Sequence, residues 1–238
     1  MMNAKESYPL EELRELRKDF QDFCCRVSND LQGSLRNISG FLSLIEEKLP
    51  PTPDEKMKTY LGFVKESAEK AQSILDGLME YTAIFTDGRN FSTISLESPL
   101  KEALQELEGP IQKAQAIVQE KLCPVMIFGN EALLKKAFVC ILENALTYAK
   151  STPRIQITFE KRTAQYVIGI ADHGIGIPQE YHKTVFEPFE RLHAYHQYPG
   201  IGLGLSIAKK IIEAHHGRIW IESTDQGITV FWALPLRA

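Results

Sequence analysis

Two glycine-rich turns are the strongest sign of chemistry in this sequence. The first reads Asp172-His173-Gly174-Ile175-Gly176, and the second reads Gly200-Ile201-Gly202-Leu203-Gly204-Leu205. Glycine at alternate positions lets the backbone adopt positive φ angles and approach a ligand closely. The second turn leads directly into a helical pattern, and a helix N-terminus entered through glycines is a ready site for phosphate oxygens. The two turns therefore predict a nucleotide held by backbone amides.

A dinucleotide-binding fold and plain turns are the alternatives. Gly200, Gly202 and Gly204, with Glu222 downstream, partly match the Rossmann fingerprint. The spacing is GxGxG rather than GxGxxG, however, and residues 190–199 do not have the pattern of a buried strand. Either glycine cluster alone would indicate only a turn. Their joint occurrence, with Asn144 at the inner end of an earlier amphipathic helix, favours nucleotide binding.

Asp172 and Asn144 supply polar atoms that an adenine nucleotide needs. Asp172 ends a buried-looking strand, where its carboxylate can accept a hydrogen bond from an exocyclic amine; strand-end capping is the plainer alternative. Asn144 offers an amide oxygen, a hard ligand suited to Mg²⁺, which commonly takes one or two protein oxygens and completes its shell with phosphates and waters. Asp172 is thus a candidate acceptor for an amino group of the nucleotide, and Asn144 is a candidate metal ligand.

Four motifs resemble those of the sensor histidine kinases and follow the family's order. They are the N box Leu142-Glu143-Asn144-Ala145-Leu146, the G1 box Asp172 to Gly176, the F box Phe186-Glu187-Pro188-Phe189 and the G2 box Gly200 to Leu205. The tail His215 to Ser223 resembles the family's closing helix and strand. Leu192-His193 and Tyr198-Pro199-Gly200 are most similar to the phytochrome-type kinases.

The resemblance implies ATP and Mg²⁺ as ligands, with Asp172 on adenine and Asn144 on the metal. It implies a lid over residues 178–199, with Phe186 and Phe189 as apolar anchors and with Arg191 or Lys183 near the phosphates. The further cofactor-binding residues that it implies are Tyr148, Gly174, Gly176, Phe189, Arg191, Gly200, Gly202, Leu203 and Gly204. Cys140 and Thr147 depart from the N-box pattern, where many members have Asn and Lys, so the affinity for ATP is expected to be reduced.

Residues Ser28 to Arg36 resemble the family's H box, but Asn29 stands where the phosphoacceptor histidine belongs. Asn29 is two residues from Val27 and from Leu31, hence about 200° from the apolar stripe at ~3.6 residues per turn, which predicts an exposed position. Asp30 is the H-box acid and could act as general base on a neighbouring imidazole. Asn29 and Asp30 are therefore the catalytic positions, although an amide nitrogen is no nucleophile.

The elements that must position these residues begin with two long helices. From Leu10 to Leu49 apolar residues recur at steps of three or four, and from Glu55 to Phe85 they form a heptad seam. Pro50-Pro51-Thr52-Pro53 separates the two helices, and Asp54 or Thr52 can cap the second one. Two helices with one stripe each do not close a core, so we expect a homodimer with a four-helix bundle. A hairpin packed on its own C-terminal domain is the alternative.

Short strands and helices alternate in the rest of the chain. We expect helices at 99–116, 130–149 and 203–216, and strands near 91–96, 125–128, 155–159, 166–170, 218–223 and 228–234. Thr86 to Asn90 is a polar break that could serve as a hinge. The prediction is an α+β chain: residues 1–88 form the dimerisation and phosphoacceptor-type hairpin, and residues 91–238 form an ATP-binding α/β sandwich with a mixed sheet covered on one face.

The composition is that of an ordinary soluble globular protein. With 238 residues, 44% hydrophobic and 24% charged, and a net charge of −4, the chain gives no electrostatic reason to expect nucleic acid. Its four cysteines lack CxxC spacing. The sequence shows neither a run of ~20 apolar residues nor a signal peptide. We therefore expect a cytoplasmic protein without a membrane span.

Two functions from different classes remain open. One is a histidine-kinase core that moves the γ-phosphoryl group of ATP to a histidine and then to a response-regulator receiver domain, with input from an upstream sensor domain or protein. The other is a pseudokinase that binds nucleotide and acts as a dimeric scaffold. The serine-kinase branch of the same ATPase superfamily is a more remote possibility, because the hairpin is more similar to that of histidine kinases.

Overall fold

The computed structural model describes residues 10–48, 54–84, 90–193, 198 and 200–236. The chain divides into two compact units, Met1–Ala83 and Ile84–Ala238. The predicted hinge falls on residues 86–90, of which 86–89 lie outside the described residues, as do Thr52 and part of the predicted lid.

The first unit is an antiparallel pair of long helices, α1 (Leu10–Lys48) and α2 (Glu55–Ala83). The Asp54 carboxylate accepts a hydrogen bond from the Lys56 N–H (3.3 Å), so Asp54 caps α2 as expected. The Gln32 amide donates to Asp76 (2.8 Å), and Lys65 pairs with Glu46 (3.4 Å) nearer the connection. Neither helix, nor any other in the described part of the chain, could cross a bilayer.

Much of the apolar stripe of α1 is not covered within the hairpin. Leu42 on α1 and Ala68 and Leu75 on α2 are buried. In contrast, Phe23 is 63% exposed and Leu31 is 48% exposed. The other exposed apolar side chains of α1 are Phe20, Val27, Ile38, Phe41, Leu44 and Ile45. The single hairpin therefore leaves a long apolar face uncovered.

The second unit is a layered α/β structure. Its helices are α3 (Glu97–Glu106), α4 (Glu108–Lys113), α5 (Glu131–Thr147) and α6 (Gly204–Ala214), with short 3₁₀ turns at Gln179–Tyr181 and Thr184–Phe186. Its strands are β1 (Ser92–Ser95), β2 (Ile117–Lys121), β3 (Met126–Gly129), β4 (Arg154–Lys161), β5 (Gln165–Asp172), β6 (Arg218–Thr224) and β7 (Gly227–Pro235).

A five-stranded mixed sheet organises this unit. The strand order is β2-β4-β5-β7-β6, in which β2 and β4 are parallel and the other pairs are antiparallel. Ile157 and Ile170 are paired on the inner face, where Phe138 of α5 meets Trp232 edge-on with ring centroids 4.9 Å apart. β1 and β3 form a separate antiparallel pair. The predicted α+β fold with a mixed sheet is thus confirmed.

One expected helix was wrong. Residues 99–116 were expected to form a single helix, but α3 ends at Glu106 and α4 ends at Lys113, after which β2 begins. Pro110 has no N–H and is tolerated only near a helix start, which favours a new helix beginning at Glu108. β2 was not predicted because it lies at the sheet edge with Val118 as its only partly buried residue, so it lacks alternating hydrophobicity.

Candidate functional site

Three segments that are distant in sequence meet at one end of α5. The Ile175 N–H donates to the Tyr148 carbonyl (3.0 Å), and Ala149 forms a bridge with Gly174, which joins the end of α5 to the first glycine turn. A Cβ placed on Gly204 would lie 3.8 Å from the Asn144 Oδ1 atom. The start of α6 therefore faces the last turn of α5.

Asp172 is held as a buried acceptor at the end of β5. Its Oδ1 accepts a hydrogen bond from the Gly174 N–H (2.8 Å), and the Ile228 N–H also donates to the carboxylate. Burial raises the pKa of Asp172, while the bonds from Gly174 and Ile228 and the nearby His173 act in the opposite direction. Two backbone donors thus orient a carboxylate that can accept from a further donor.

Two glycines make room for this carboxylate. A Cβ on Gly174 would lie 2.7 Å from the Tyr148 carbonyl oxygen and 2.8 Å from the Asp172 Oδ1. A Cβ on Gly227 would overlap the Asp172 carbonyl oxygen and lie 2.9 Å from its Oδ1. The sequence did not indicate Gly227 as a site residue, because it is a strand-start glycine whose only local signal is that of a turn.

The second glycine turn begins α6 without a side-chain cap. Gly202 has a φ of 77°, and a Cβ there would lie 2.7 Å from the Glu190 carbonyl oxygen, so this position needs glycine. The Gly202 carbonyl also accepts from the Phe189 N–H (2.9 Å). Gly176 and Gly200 likewise have positive φ angles and open space around them. The uncapped N–H groups of α6 can receive phosphate oxygens.

Leu203 contributes to the site through its backbone. Its side chain is 2% exposed, within the core. Its carbonyl accepts hydrogen bonds from the Ile207 N–H (2.8 Å) and from the Ser206 hydroxyl (2.9 Å). These bonds fix the first turn of α6 and therefore the direction of its N–H groups.

The described part of the lid packs along α6. Phe186 is buried, and Glu187 pairs with Lys209 of α6 (3.2 Å). Phe189 is 46% exposed with a φ of 64°, so of the two expected apolar anchors only Phe186 is buried.

Aromatic residues of the lid lie against Tyr148. The ring centroids of Tyr148 and Tyr198 are 4.9 Å apart, and His193 lies 6.3 Å from Tyr148. The Arg191 Nη2 donates to the Tyr198 carbonyl (2.7 Å), so Arg191 contacts the lid backbone in this structure. Lys183 is exposed.

Asn29 and Asp30 lie in the first unit, on α1. Both are exposed, as are Val27 and Leu31 of the apolar stripe, whereas the neighbouring Ser28 is fully buried. The Asp30 carbonyl accepts from the Ser34 hydroxyl (3.3 Å), a local bond within the helix. The side chains of Asn29 and Asp30 are therefore at the surface of the hairpin.

The donor set around Asn144 fits a metal that depends mainly on nucleotide oxygens. Asn144 is half-buried, and the nearby Cys140 is buried, with its carbonyl oxygen 3.6 Å from the position of a Cβ on Gly204. Among the described residues no cluster of three or more His, Cys, Asp or Glu side chains could bind a metal. The Asn144 amide oxygen is thus the candidate metal ligand at this point, and phosphates and waters commonly supply the remaining ligands of Mg²⁺.

Comparison with known proteins matches this part of the chain to one family. The family model described as histidine kinase-, DNA gyrase B-, and HSP90-like ATPase matches residues 129–238. The phytochrome-like protein Cph1 of Synechocystis sp. is 28% identical over 235 residues, which cover 95% of this chain and 31% of that protein. The sensory kinase SasA of Synechocystis sp. is 38% identical over 239 residues, which cover 95% of this chain and 62% of that protein.

Solved structures share the fold over most of the chain. Full-length ShkA in complex with AMPPNP has a TM-score of 0.65 at 16% identity, covering 89% of this chain and 45% of that chain. Histidine kinase ThkA, in complex with the response regulator TrrA, has a TM-score of 0.63 at 20% identity, covering 98% of this chain and 68% of that chain.

This chain spans about a third of the length of the phytochrome relatives, for example 31% of Cph1. Its similarity to them and to SasA nevertheless extends over 95% of its own residues. Residues 129–238 therefore match the ATPase family model described for histidine kinases, DNA gyrase B and HSP90, and the chain is close to the phytochrome-type and SasA histidine kinases.

Proposed function

We propose that this chain is the core of a sensor histidine kinase that binds Mg-ATP between α5, the two glycine turns and α6. The observation that carries the proposal is the meeting of Asp172, Asn144 and the uncapped start of α6 at one end of α5. A hydrogen-bond acceptor, an amide oxygen and free N–H groups are what an adenine, a magnesium ion and phosphates require.

Each group has a defined role in this site. The Asp172 carboxylate, oriented by Gly174 and Ile228, accepts a hydrogen bond from the adenine amino group. The N–H groups at Gly204 bind phosphate oxygens. Bound Mg²⁺ would neutralise charge on the phosphates, and Asn144 would supply its protein ligand. The lid next to Tyr148 would exclude water from the phosphates.

Asn29 restricts what the kinase core can do. In the proposed reaction an imidazole nitrogen attacks the γ-phosphorus, the bond to the bridging oxygen breaks, and ADP leaves. Asp30 would accept the imidazole proton. The Asn29 amide nitrogen has no available lone pair, so this chain does not form phosphohistidine at position 29. That same substitution supports the second candidate function, a nucleotide-binding pseudokinase that acts as a dimeric scaffold in signalling.

The uncovered apolar face of α1 supports a homodimer. Phe23 and Leu31 are 63% and 48% exposed in the single chain, on a stripe long enough to complete a four-helix bundle with a second hairpin. We further propose a response-regulator receiver domain as partner, input from a sensor domain or protein, and a cytoplasmic location. The relative ThkA was solved with its response regulator.

Labelling with γ-labelled ATP tests this function. The chain as it stands should not be labelled, whereas Asn29→His should acquire acid-labile label because it restores the nucleophile next to Asp30. The double variant Asn29→His with Asp172→Asn is the control and should lose the label. If Asn29→His binds ATP but is not labelled, the pseudokinase is favoured; label on α1 in the unmodified chain would contradict the assignment of position 29.

A further inference from the structure

His215 is a buried histidine that joins the two helices of the nucleotide site at the end far from the ligand. It is the C-cap residue that follows α6, is 3% exposed, and its Nδ1 lies 2.7 Å from the Ile211 carbonyl oxygen. Its Nε2 lies 2.9 Å from the backbone nitrogen of Asn130. Asn130 is the N-cap of α5, with its side chain accepting from the Leu133 N–H (3.1 Å).

These partners define the tautomer of the ring. A carbonyl can only accept, so Nδ1 carries the proton; a backbone N–H can only donate, so Nε2 presents its lone pair. His215 is therefore held neutral. Phe91 packs on the ring with centroids 4.6 Å apart, and a Cβ on Gly129 would lie 2.9 Å from the ring Cδ2. The ring is thus fixed by hydrogen bonds in its plane and by close packing.

The geometry of α5 and α6 connects this contact to the ligand site. α6 starts beside Asn144 and ends beside Asn130, so the helices are antiparallel. Asn144 is 14 residues from Asn130, or about 21 Å at ~1.5 Å per residue. Over that length a tilt of about 3° moves the Asn144 amide by about 1 Å. Such a displacement is half a metal–oxygen bond length, since Mg²⁺ requires ~2.0–2.1 Å.

We propose that neutral His215 is a positioning residue for the nucleotide site, which holds α5 against α6 in the register that places Asn144 opposite Gly204. This inference rests on the proposed function, because it concerns Asn144 as a metal ligand. It predicts that the contribution of Mg²⁺ to nucleotide affinity depends on His215, although His215 touches no ligand. Adenine recognition by Asp172 on β5 should depend on it much less.

Calorimetric titration of the full chain with ADP, once with Mg²⁺ and once with EDTA, separates the two effects. The gain from Mg²⁺ is the ratio of the ADP affinity with Mg²⁺ to the ADP affinity in EDTA. In His215→Leu this ratio should be about fivefold smaller than in the wild type, the effect of one misaligned contact, while the ADP affinity in EDTA stays unchanged. His215→Gln should keep most of the wild-type gain from Mg²⁺, because the glutamine oxygen can accept a hydrogen bond from the Asn130 N–H. His216→Asn is the matched control at the exposed neighbouring position and should equal the wild type.

The outcomes distinguish this inference from the proposed function. Absence of ADP binding to the wild-type chain in both conditions would refute the proposed function and the inference with it. Normal wild-type binding with the full Mg²⁺ gain retained in His215→Leu would overturn the inference alone, as would equal losses with and without Mg²⁺. Should His215→Leu fail to fold, Gly129→Ala displaces the ring more mildly, and an undiminished Mg²⁺ gain in that variant would equally overturn the inference.

Discussion

Asparagine at position 172 would retain the shape of the adenine-binding carboxylate but not its acceptor capacity. The Asp172 carboxylate accepts from Gly174 and Ile228 and has room for a further bond. An asparagine amide has one acceptor oxygen, and its NH₂ group would oppose a donor. We therefore expect Asp172→Asn to lose the bond to the adenine amino group while the fold is retained.

The size of the loss follows from the nature of the bond. A hydrogen bond to a charged group contributes about 1.5–3 kcal/mol, or about 10- to 150-fold in affinity. Nucleotide at ~100 times the dissociation constant stabilises the wild type by about 2.7 kcal/mol; the same concentration would stabilise the variant by about 0.3–1.4 kcal/mol. At ~2–4 °C per kcal/mol, nucleotide should raise the melting temperature by about 5–11 °C in the wild type and by about 1–6 °C in Asp172→Asn.

Thermal denaturation of the full chain with and without ADP and Mg²⁺ measures both shifts. Asp225→Asn, at an exposed position in the turn between β6 and β7, is the matched control and should retain the wild-type shift. Equal shifts in the wild type and in Asp172→Asn would refute the assignment of Asp172 to adenine.

Three other predictions concern stability and assembly. His216 has a φ of 57°, and its N–H donates to the Glu213 carbonyl in a Schellman-type helix end. Because glycine adopts positive φ more readily than histidine, His216→Gly should raise the free energy of unfolding by about 0.5–1 kcal/mol, measured by chemical denaturation. A decrease in that free energy would contradict this interpretation of the helix end. Burial lowers the pKa of His215, and its bond to the Ile211 carbonyl acts in the opposite direction; protonation therefore favours the unfolded state. The stability held by neutral His215 should be complete above its ordinary pKa of ~6.5 and be lost as pH falls below that value, and His215→Gln should flatten this part of a stability-versus-pH curve. Phe23 is 63% exposed in the single chain, so Phe23→Asp should yield a monomer by light scattering that is still folded by circular dichroism. The control Arg26→Asp should remain dimeric. Leu75 is only 7% exposed, so Leu75→Glu should instead unfold the hairpin.

Local patterns were sufficient to predict most of the fold. The steps of three and four predicted α1 and α2, and the apolar residues of β4, β5 and β7 predicted those strands, although much of the stripe of α1 is exposed in the single chain. β2 was missed because an edge strand with one partly covered side chain has no such pattern. The break between α3 and α4 was missed because the apolar periodicity continues across Leu107.

The candidate site was predicted where a motif itself supplies the atoms. Asp172 lies beside the first glycine turn, and Asn144 lies beside the start of α6 after the second. Gly227 and His215 were not assigned to the site because their roles arise from tertiary contacts with Asp172 and Asn130, which are distant in sequence. Phe189 is exposed and has a positive φ, and residue type alone reveals neither property.

The most direct test of the nucleotide site is a crystal structure of the full chain grown with Mg²⁺ and a non-hydrolysable ATP analogue. The proposed function predicts the adenine amino nitrogen about 3 Å from the Asp172 carboxylate and Mg²⁺ about 2.0–2.1 Å from the Asn144 Oδ1. It also predicts phosphate oxygens at the N–H groups that begin α6. An adenine bound away from Asp172, or a metal coordinated without Asn144, would contradict the proposed site.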